Sequence, residues 1–101
     1  MTWPVGTSTG WHDHGSASGA FTTLQGSLTE YTWNGSIHAR TLQQGNGRHF
    51  DASHIHDVVN EGNEPAVSLH AYSPRLPAMT RYELLGGRLV ATGVEHRGDL
   101  W

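Results

Sequence analysis

Pro65-Ala66-Val67-Ser68-Leu69-His70-Ala71-Tyr72-Ser73-Pro74 is the clearest strand in the chain. Side chains of a strand alternate between its faces, so Val67, Leu69 and Ala71 share one face and Ser68, His70 and Tyr72 the other. The pattern leaves two arrangements open. An antiparallel sheet commonly packs one face on a core and turns the other to water, which would make the Ser68-His70-Tyr72 face solvated. The alternative is that this face lines a polar cavity inside a barrel.

Similar segments flank this strand on both sides. Runs rich in Val, Thr, Tyr, Trp and Phe predict strands near residues 19 to 25, 27 to 33, 36 to 43, 48 to 51, 56 to 60, 65 to 73, 78 to 84 and 88 to 94. Short strands at such spacing indicate an all-β sandwich or barrel. Asn34-Gly35 suits a type I′ hairpin, in which both central residues take positive φ, and Gly45-Asn46-Gly47 and Gly86-Gly87 offer similar freedom. No helical period competes, and the thirteen glycines are spread too evenly to form a linker. With 101 residues the chain is expected to be a single domain, 1–101, with one modest core.

Composition removes several classes of function. Nine acids against six arginines, with no lysine, give a net charge of -3 and no broad cationic surface, so nucleic acid is not an expected partner. The chain has no cysteine, which excludes disulfides, thiolate metal ligands and a cysteine nucleophile. No apolar stretch approaches the roughly 18 residues that span a bilayer, and the N-terminus lacks signal-peptide character. No membrane association is expected, and a cytoplasmic location is.

The histidines carry the chemistry. In an extended segment His12 and His14 of Trp11-His12-Asp13-His14-Gly15 share a face, with Cα atoms roughly 6 to 7 Å apart, so one cation could bridge both imidazoles. A second cluster, His54-Ile55-His56, lies about forty residues later. Neutral imidazoles suit Zn, Fe, Cu and Ni, and either His54 or His56 could complete a three-nitrogen face. His56 is favoured because it opens a strand, although spacing alone does not exclude His54. Three protein ligands would leave open positions on the cation, as catalysis requires.

His12-x-His14, followed by Gly26, Gly45 and His56-x-x-x-Asn60, resembles the two motifs of cupins. Within that superfamily the chain resembles cysteine dioxygenase and its bacterial thiol dioxygenase relatives. The blocks concerned are Trp11-His12-Asp13-His14-Gly15-Ser16, Leu24-Gln25-Gly26-Ser27-Leu28-Thr29-Glu30 and Pro65 to Pro74, with a looser match over Met79-Thr80-Arg81-Tyr82-Glu83. The resemblance implies a cupin jelly-roll β-barrel holding Fe(II) through His12, His14 and His56. It also implies conversion of cysteine, or a related small thiol such as 3-mercaptopropionate, to the sulfinic acid with O2. Most cupins add a glutamate ligand where this chain has Ser18 and Gly19, and its absence fits the three-histidine site of thiol dioxygenases. Ser68, His70 and Tyr72 match the family's outer-sphere triad, which favours the interior reading of their face. Tyr72 would then point at the substrate and oxygen site, His70 would hydrogen-bond it, and Ser68 would orient His70.

Two departures from the family stand out. Animal members carry a cysteine that cross-links to the active-site tyrosine, and Gly19 stands at that position, so Tyr72 is expected to be an unmodified phenol. Members also have an N-terminal segment supplying an arginine for the substrate carboxylate. Only eleven residues precede His12, and that arginine is expected to be missing. The arginines present are Arg40, Arg48, Arg75, Arg81, Arg88 and Arg97. Arg81 could reach the pocket from a late strand, although lone arginines on strands are mostly solvated. This departure keeps a catalytically silent metal-binding cupin, or a cupin enzyme using Mn, Ni or Zn, as alternatives. Strand edges exposed without the N-terminal segment would favour a homodimer. Trp3, Trp11, Trp33 and Phe21 are expected in core or rim packing, and His38, His49 and His96 at the surface. Asp13 is expected to hydrogen-bond rather than ligate metal, and Asn60 to cap a turn.

Overall fold

The computed structural model describes residues 1–15, 17–52, 54–73 and 78–96. Among them there is no helix, so none is long and apolar enough to cross a membrane. Ten strands form two antiparallel sheets: β1 (Thr2–Trp3), β2 (Trp11–His12), β3 (Ser18–Gln25), β4 (Ser27–Trp33), β5 (Ile37–Gln43), β6 (Gly47–Phe50), β7 (His56–Val59), β8 (Ala66–Ser73), β9 (Ala78–Leu85) and β10 (Arg88–His96). One sheet runs β1-β8-β3-β6 and the other β10-β9-β2-β7-β4-β5. The all-β expectation holds, and the eight predicted strands are present with ends shifted by no more than a residue or two. The two-residue strands β1 and β2 were not predicted, because two residues show no alternation to read.

The core lies between the sheets. Trp3, Phe21, Phe50 and Ala66 from the four-stranded sheet meet Leu28, Leu42 and Val58 from the six-stranded one. Each side chain of Leu or Phe size removed from water contributes about 1.5–3 kcal/mol. The inward rows follow the two-residue period: Phe21 and Thr23 on β3, Leu28 and Glu30 on β4, His56 and Val58 on β7 are all buried. Trp11 and Trp33 are half-buried, at the rim.

On β8 the polar face lies inside, as the family resemblance favoured, and the solvated alternative is overturned. Ser68 is 1% exposed and Leu69 61% exposed, so the polar row faces the interior and the apolar row the solvent. The inversion is tolerable because the Ser68 hydroxyl keeps two hydrogen-bond partners when it leaves water.

The β4–β5 hairpin also differs from expectation. Trp33 pairs with Ile37, so the connection is the three residues Asn34 to Ser36. Gly35 alone takes positive φ there (100°), and the Asn34 side chain bonds the His38 ring at 3.0 Å. An L-residue at positive φ is costly, and one glycine suffices for this turn. The two-residue turn with both centres at positive φ occurs instead at Gly86 (57°) and Gly87 (78°), where Leu85 pairs with Arg88.

Candidate metal centre and active site

Strand β2 lies between β7 and β9, and its register sets His12 directly opposite His56 on one side and Arg81 on the other. Regular pairing ends at His12, earlier than an extended segment through Gly15 would have it. Asp13 then anchors the chain: its amide donates to Thr80 O (3.0 Å), and its carboxylate accepts from the amides of Thr80 (2.8 Å) and Gly15 (3.1 Å) and from the Tyr82 hydroxyl (3.0 Å). This corner carries the His14 side chain back inward, and the expected hydrogen-bonding role of Asp13 is observed.

The three imidazoles form a nearly equilateral triangle. Ring centroids are 5.0 Å apart for His12–His14, and 4.8 Å for both His12–His56 and His14–His56. One nitrogen from each ring lies within 4.8 Å of the other two, and all three residues are buried. Burial holds every one of them below the ordinary imidazole range, with the neighbouring histidines adding to the effect. His12 is lowered to about 3 and His14 to about 2, while in His56 the Glu30 carboxylate partly counters the shift. All three are therefore neutral near pH 7.

Their donor atoms suit a cation. The His12 Nδ1–H donates to Gly10 O at 2.8 Å, which leaves Nε2 as a bare lone pair. Nε2 of His14 and Nε2 of His56 face each other at 3.1 Å. Two nitrogens at right angles, each about 2.1 Å from a common ion, are separated by about 3 Å, so this pair has the spacing of neighbouring ligands. Converging neutral nitrogens with no acid among them form a set that could hold a borderline divalent ion such as Fe or Zn.

His54, which spacing left as a rival to His56, is placed elsewhere. Its ring stacks on Phe50 at 5.0 Å, and its Nε2 lies 3.1 Å from Glu30 Oε2. Glu30 is the residue that sequence reasoning missed. It is 1% exposed, and its carboxylate also accepts from His56 Nδ1 at 2.7 Å and from Arg48 Nε at 2.7 Å. Burial alone would raise its pKa, but the hydrogen bonds from His54, His56 and Arg48 outweigh that and hold it well below the carboxylate range. Its signal was present in the alternation: Leu28 marks the inward row of its strand, and Glu30 is the next inward position. Glu30, His54 and His56 also make a second cluster of metal-ligating groups, sharing His56 with the first.

Opposite the imidazoles runs the inward row of β8. Trp3 Nε1–H donates to Ser68 Oγ at 2.7 Å, and Ser68 Oγ lies 2.6 Å from His70 Nε2. An indole can only donate, so Ser68 accepts from Trp3 and is free to give its own proton to His70 Nε2. Burial lowers His70 to about 4, in keeping with a neutral, accepting ring. The expected Ser68–His70 link is thus present, and Trp3 extends it. Among the described residues no hydrogen bond joins His70 to Tyr72, whose ring lies 5.8 Å from that of His14. Burial raises the pKa of the Tyr72 phenol, which stays protonated.

A cavity of about 650 Å³ opens between the two groups, lined by His12, His56, Ser68, His70, Tyr72 and Arg81 among others. Arg81 therefore does reach the pocket, where its guanidinium bonds Thr9 O. Arg48 is engaged by Glu30, Arg40 and Arg88 are exposed, and Arg75 and Arg97 lie outside the described residues, as do Ser16, Pro74 and the side chain of His96. His38 and His49 are exposed as expected. Asn60 organises a turn, accepting from the Gly62 amide (3.0 Å) and donating to Trp3 O (2.9 Å) and Glu64 O (2.8 Å).

Comparison with known proteins agrees with this architecture. A protein from Thermus thermophilus aligns over 73% of this chain and 68% of its own, at 23% identity and a TM-score of 0.65. An oxalate oxidase aligns over 77% of this chain at 16% identity and a TM-score of 0.71; the match spans 41% of that enzyme. A Klebsiella pneumoniae protein with a double-stranded β-helix domain aligns over 72% of this chain and 58% of its own, at 20% identity and a TM-score of 0.63. At these identities the likeness is one of fold, the cupin jelly roll. No curated protein matches the sequence. The profile of the family described as cysteine dioxygenase type I matches residues 1–84, and the chain belongs to that family.

Proposed function

We propose that this protein is a cytoplasmic non-haem Fe(II) thiol dioxygenase that converts cysteine or a related small thiol, such as 3-mercaptopropionate, to the sulfinic acid with O2. The observation that carries this reading is the convergence of His12, His14 and His56 on one another beside a cavity that His12 and His56 line together with Ser68, His70 and Tyr72. Membership in the cysteine dioxygenase type I family supports it. The reaction adds dioxygen to the thiol: the O–O bond breaks, two S–O bonds form, sulfur loses four electrons to oxygen, and the thiol proton ends on the sulfinic acid. Bound iron would supply open positions where sulfur and dioxygen meet within one coordination sphere.

The remaining work falls to side chains. Tyr72, kept protonated by burial, offers an O–H donor to the reacting oxygen and sulfur atoms. The Trp3–Ser68 chain fixes the His70 ring, which, among the described residues, lines the same cavity as Tyr72 without a hydrogen bond to it. Among the described residues Arg81 is the arginine that lines the cavity, where it is suited to a substrate carboxylate.

Oxygen uptake and sulfinate formation by iron-loaded protein across a panel of small thiols test the reading. His12→Ala should abolish metal binding, whereas Tyr72→Phe should keep the metal and lose most of the sulfinate. Metal retention without oxygen uptake for every thiol would leave a silent metal-binding cupin in place of the enzyme.

A further inference from the structure

Glu30 is a fully buried acid bonded to a histidine of the triangle through the nitrogen facing away from it. We infer that Glu30 is a positioning residue that locks His56 as its Nδ1–H tautomer and so presents a bare Nε2 to the cavity. The inference rests on the three-histidine reading of the metal centre and adds to it a residue that determines how one histidine can act.

The geometry argues for this from both ends of the carboxylate. Oε2 is 2.7 Å from His56 Nδ1, a distance typical of a charge-assisted bond, so the proton belongs on Nδ1. An ionised carboxylate only accepts, which excludes the opposite tautomer as long as Glu30 keeps its charge. Oε1 is held by Arg48 Nε at 2.7 Å, and His54 adds a third donor at 3.1 Å on Oε2. Arg48 is a quarter exposed and His54 about a sixth, so the carboxylate is fixed from the surface side by groups that retain water. Arg48 balances the charge of Glu30, which offsets part of the cost of a buried anion beside the triangle. His12 has its Nδ1–H on a backbone carbonyl, a weaker acceptor, so His56 should be the more basic donor of the two.

Titration with Co(II), followed by visible absorption, tests the assignment on the full chain. The wild type should bind one equivalent. Glu30→Gln should bind Co(II) 10- to 100-fold more weakly with a shifted d–d spectrum, while the metal-free variant keeps the wild-type circular dichroism. Unchanged Co(II) affinity and spectrum in Glu30→Gln would overturn the inference. So would two equivalents in the wild type falling to one in the variant, because Glu30, His54 and His56 would then be a metal site of their own. If the variant does not fold, 15N–1H correlation of the metal-free wild type decides: a proton on His56 Nδ1 supports the inference, and one on Nε2 defeats it. A wild type that binds no Co(II) would sink the three-histidine centre, and the tautomer would still be read independently.

Discussion

Gly19 couples the fold to the site, and Gly19→Ala measures that coupling. Gly19 on β3 lies opposite Tyr72 on β8 and Phe50 on β6. A Cβ there would sit 2.7 Å from Phe50 Cζ and 2.9 Å from both Phe50 Cε2 and Tyr72 Cδ1. Carbon atoms in good contact are about 3.5–4.0 Å apart, so both rings would have to retreat by nearly 1 Å. Retreat of Phe50 is hindered because its ring stacks on His14 at 4.3 Å, while the Tyr72 ring lies 5.8 Å from the same histidine. Overpacking of this kind costs about 1–3 kcal/mol, and the loss of glycine's unfolded-state freedom returns about 0.4–1 kcal/mol. The midpoints of these ranges leave a net loss of about 1.3 kcal/mol, which lowers the melting temperature of a domain of this size by about 5–10 °C. Thermal and urea unfolding of metal-free protein reads the loss directly. Phe50→Leu in the same background should relieve the clash, so that the double variant is more stable than additivity predicts by at least about 0.5 kcal/mol. A Gly19→Ala protein as stable as wild type, with strictly additive Phe50→Leu, would refute the reasoning. The same crowding leaves a cysteine at this position no room beside Tyr72 as it stands, in keeping with an unmodified phenol.

Four further outcomes are expected. Trp3→Phe removes the donor to Ser68 and leaves a cavity in the core, so in urea unfolding it should cost more than about 1 kcal/mol, the share of the hydrogen bond alone, with the His70 ring nitrogens no longer showing one tautomer by 15N NMR. Asp13→Ala deletes the anchor between His12 and His14 and should cost about 2–3 kcal/mol and weaken Co(II) binding, whereas Tyr82→Phe, which loses one bond to Asp13, should cost under about 1 kcal/mol. Metal-free protein should lose stability on acidification: His12 and His14 are lowered to about 3 and 2, so below pH 6.5 the unfolded chain binds protons that the native state refuses. Each contributes about 1.4 kcal/mol per pH unit, present in full above pH 6.5 and lost as pH falls, so melts at pH 7 and 5 should differ widely and a flat profile would contradict the burial argument. Arg81→Met should raise KM for thiols bearing a carboxylate by at least about tenfold while sparing thiols without one, and equal effects on both would remove Arg81 from substrate recognition.

Much of this was legible in the sequence. Alternation and turn residues located the long strands because a sheet with one buried face imposes a two-residue period on its sequence. His12 and His14 were readable as a pair because they are neighbours in the chain. Local pattern failed where the answer depended on what lies across the barrel. The polar and apolar rows of β8 were legible as rows, but Trp3, sixty-five residues from Ser68, makes burial of the polar one tolerable. Glu30 carried an inward-position signal, yet only its meeting with His54, His56 and Arg48 distinguishes a buried anion from a solvated one.

By itself, then, the sequence determined the eight longer strands, the alternation of side chains along them and the chemical character of the candidate ligands, since these depend on residues within a few positions of one another. Local pattern left open which face of β8 is inside and whether His54 or His56 joins His12 and His14; the family resemblance favoured the interior face and His56, and tertiary structure alone showed the triangle's geometry and that Glu30 backs it. Those choices turn on which strands pair, and β2 meets β7 across more than forty residues of intervening chain through a register that no local pattern encodes.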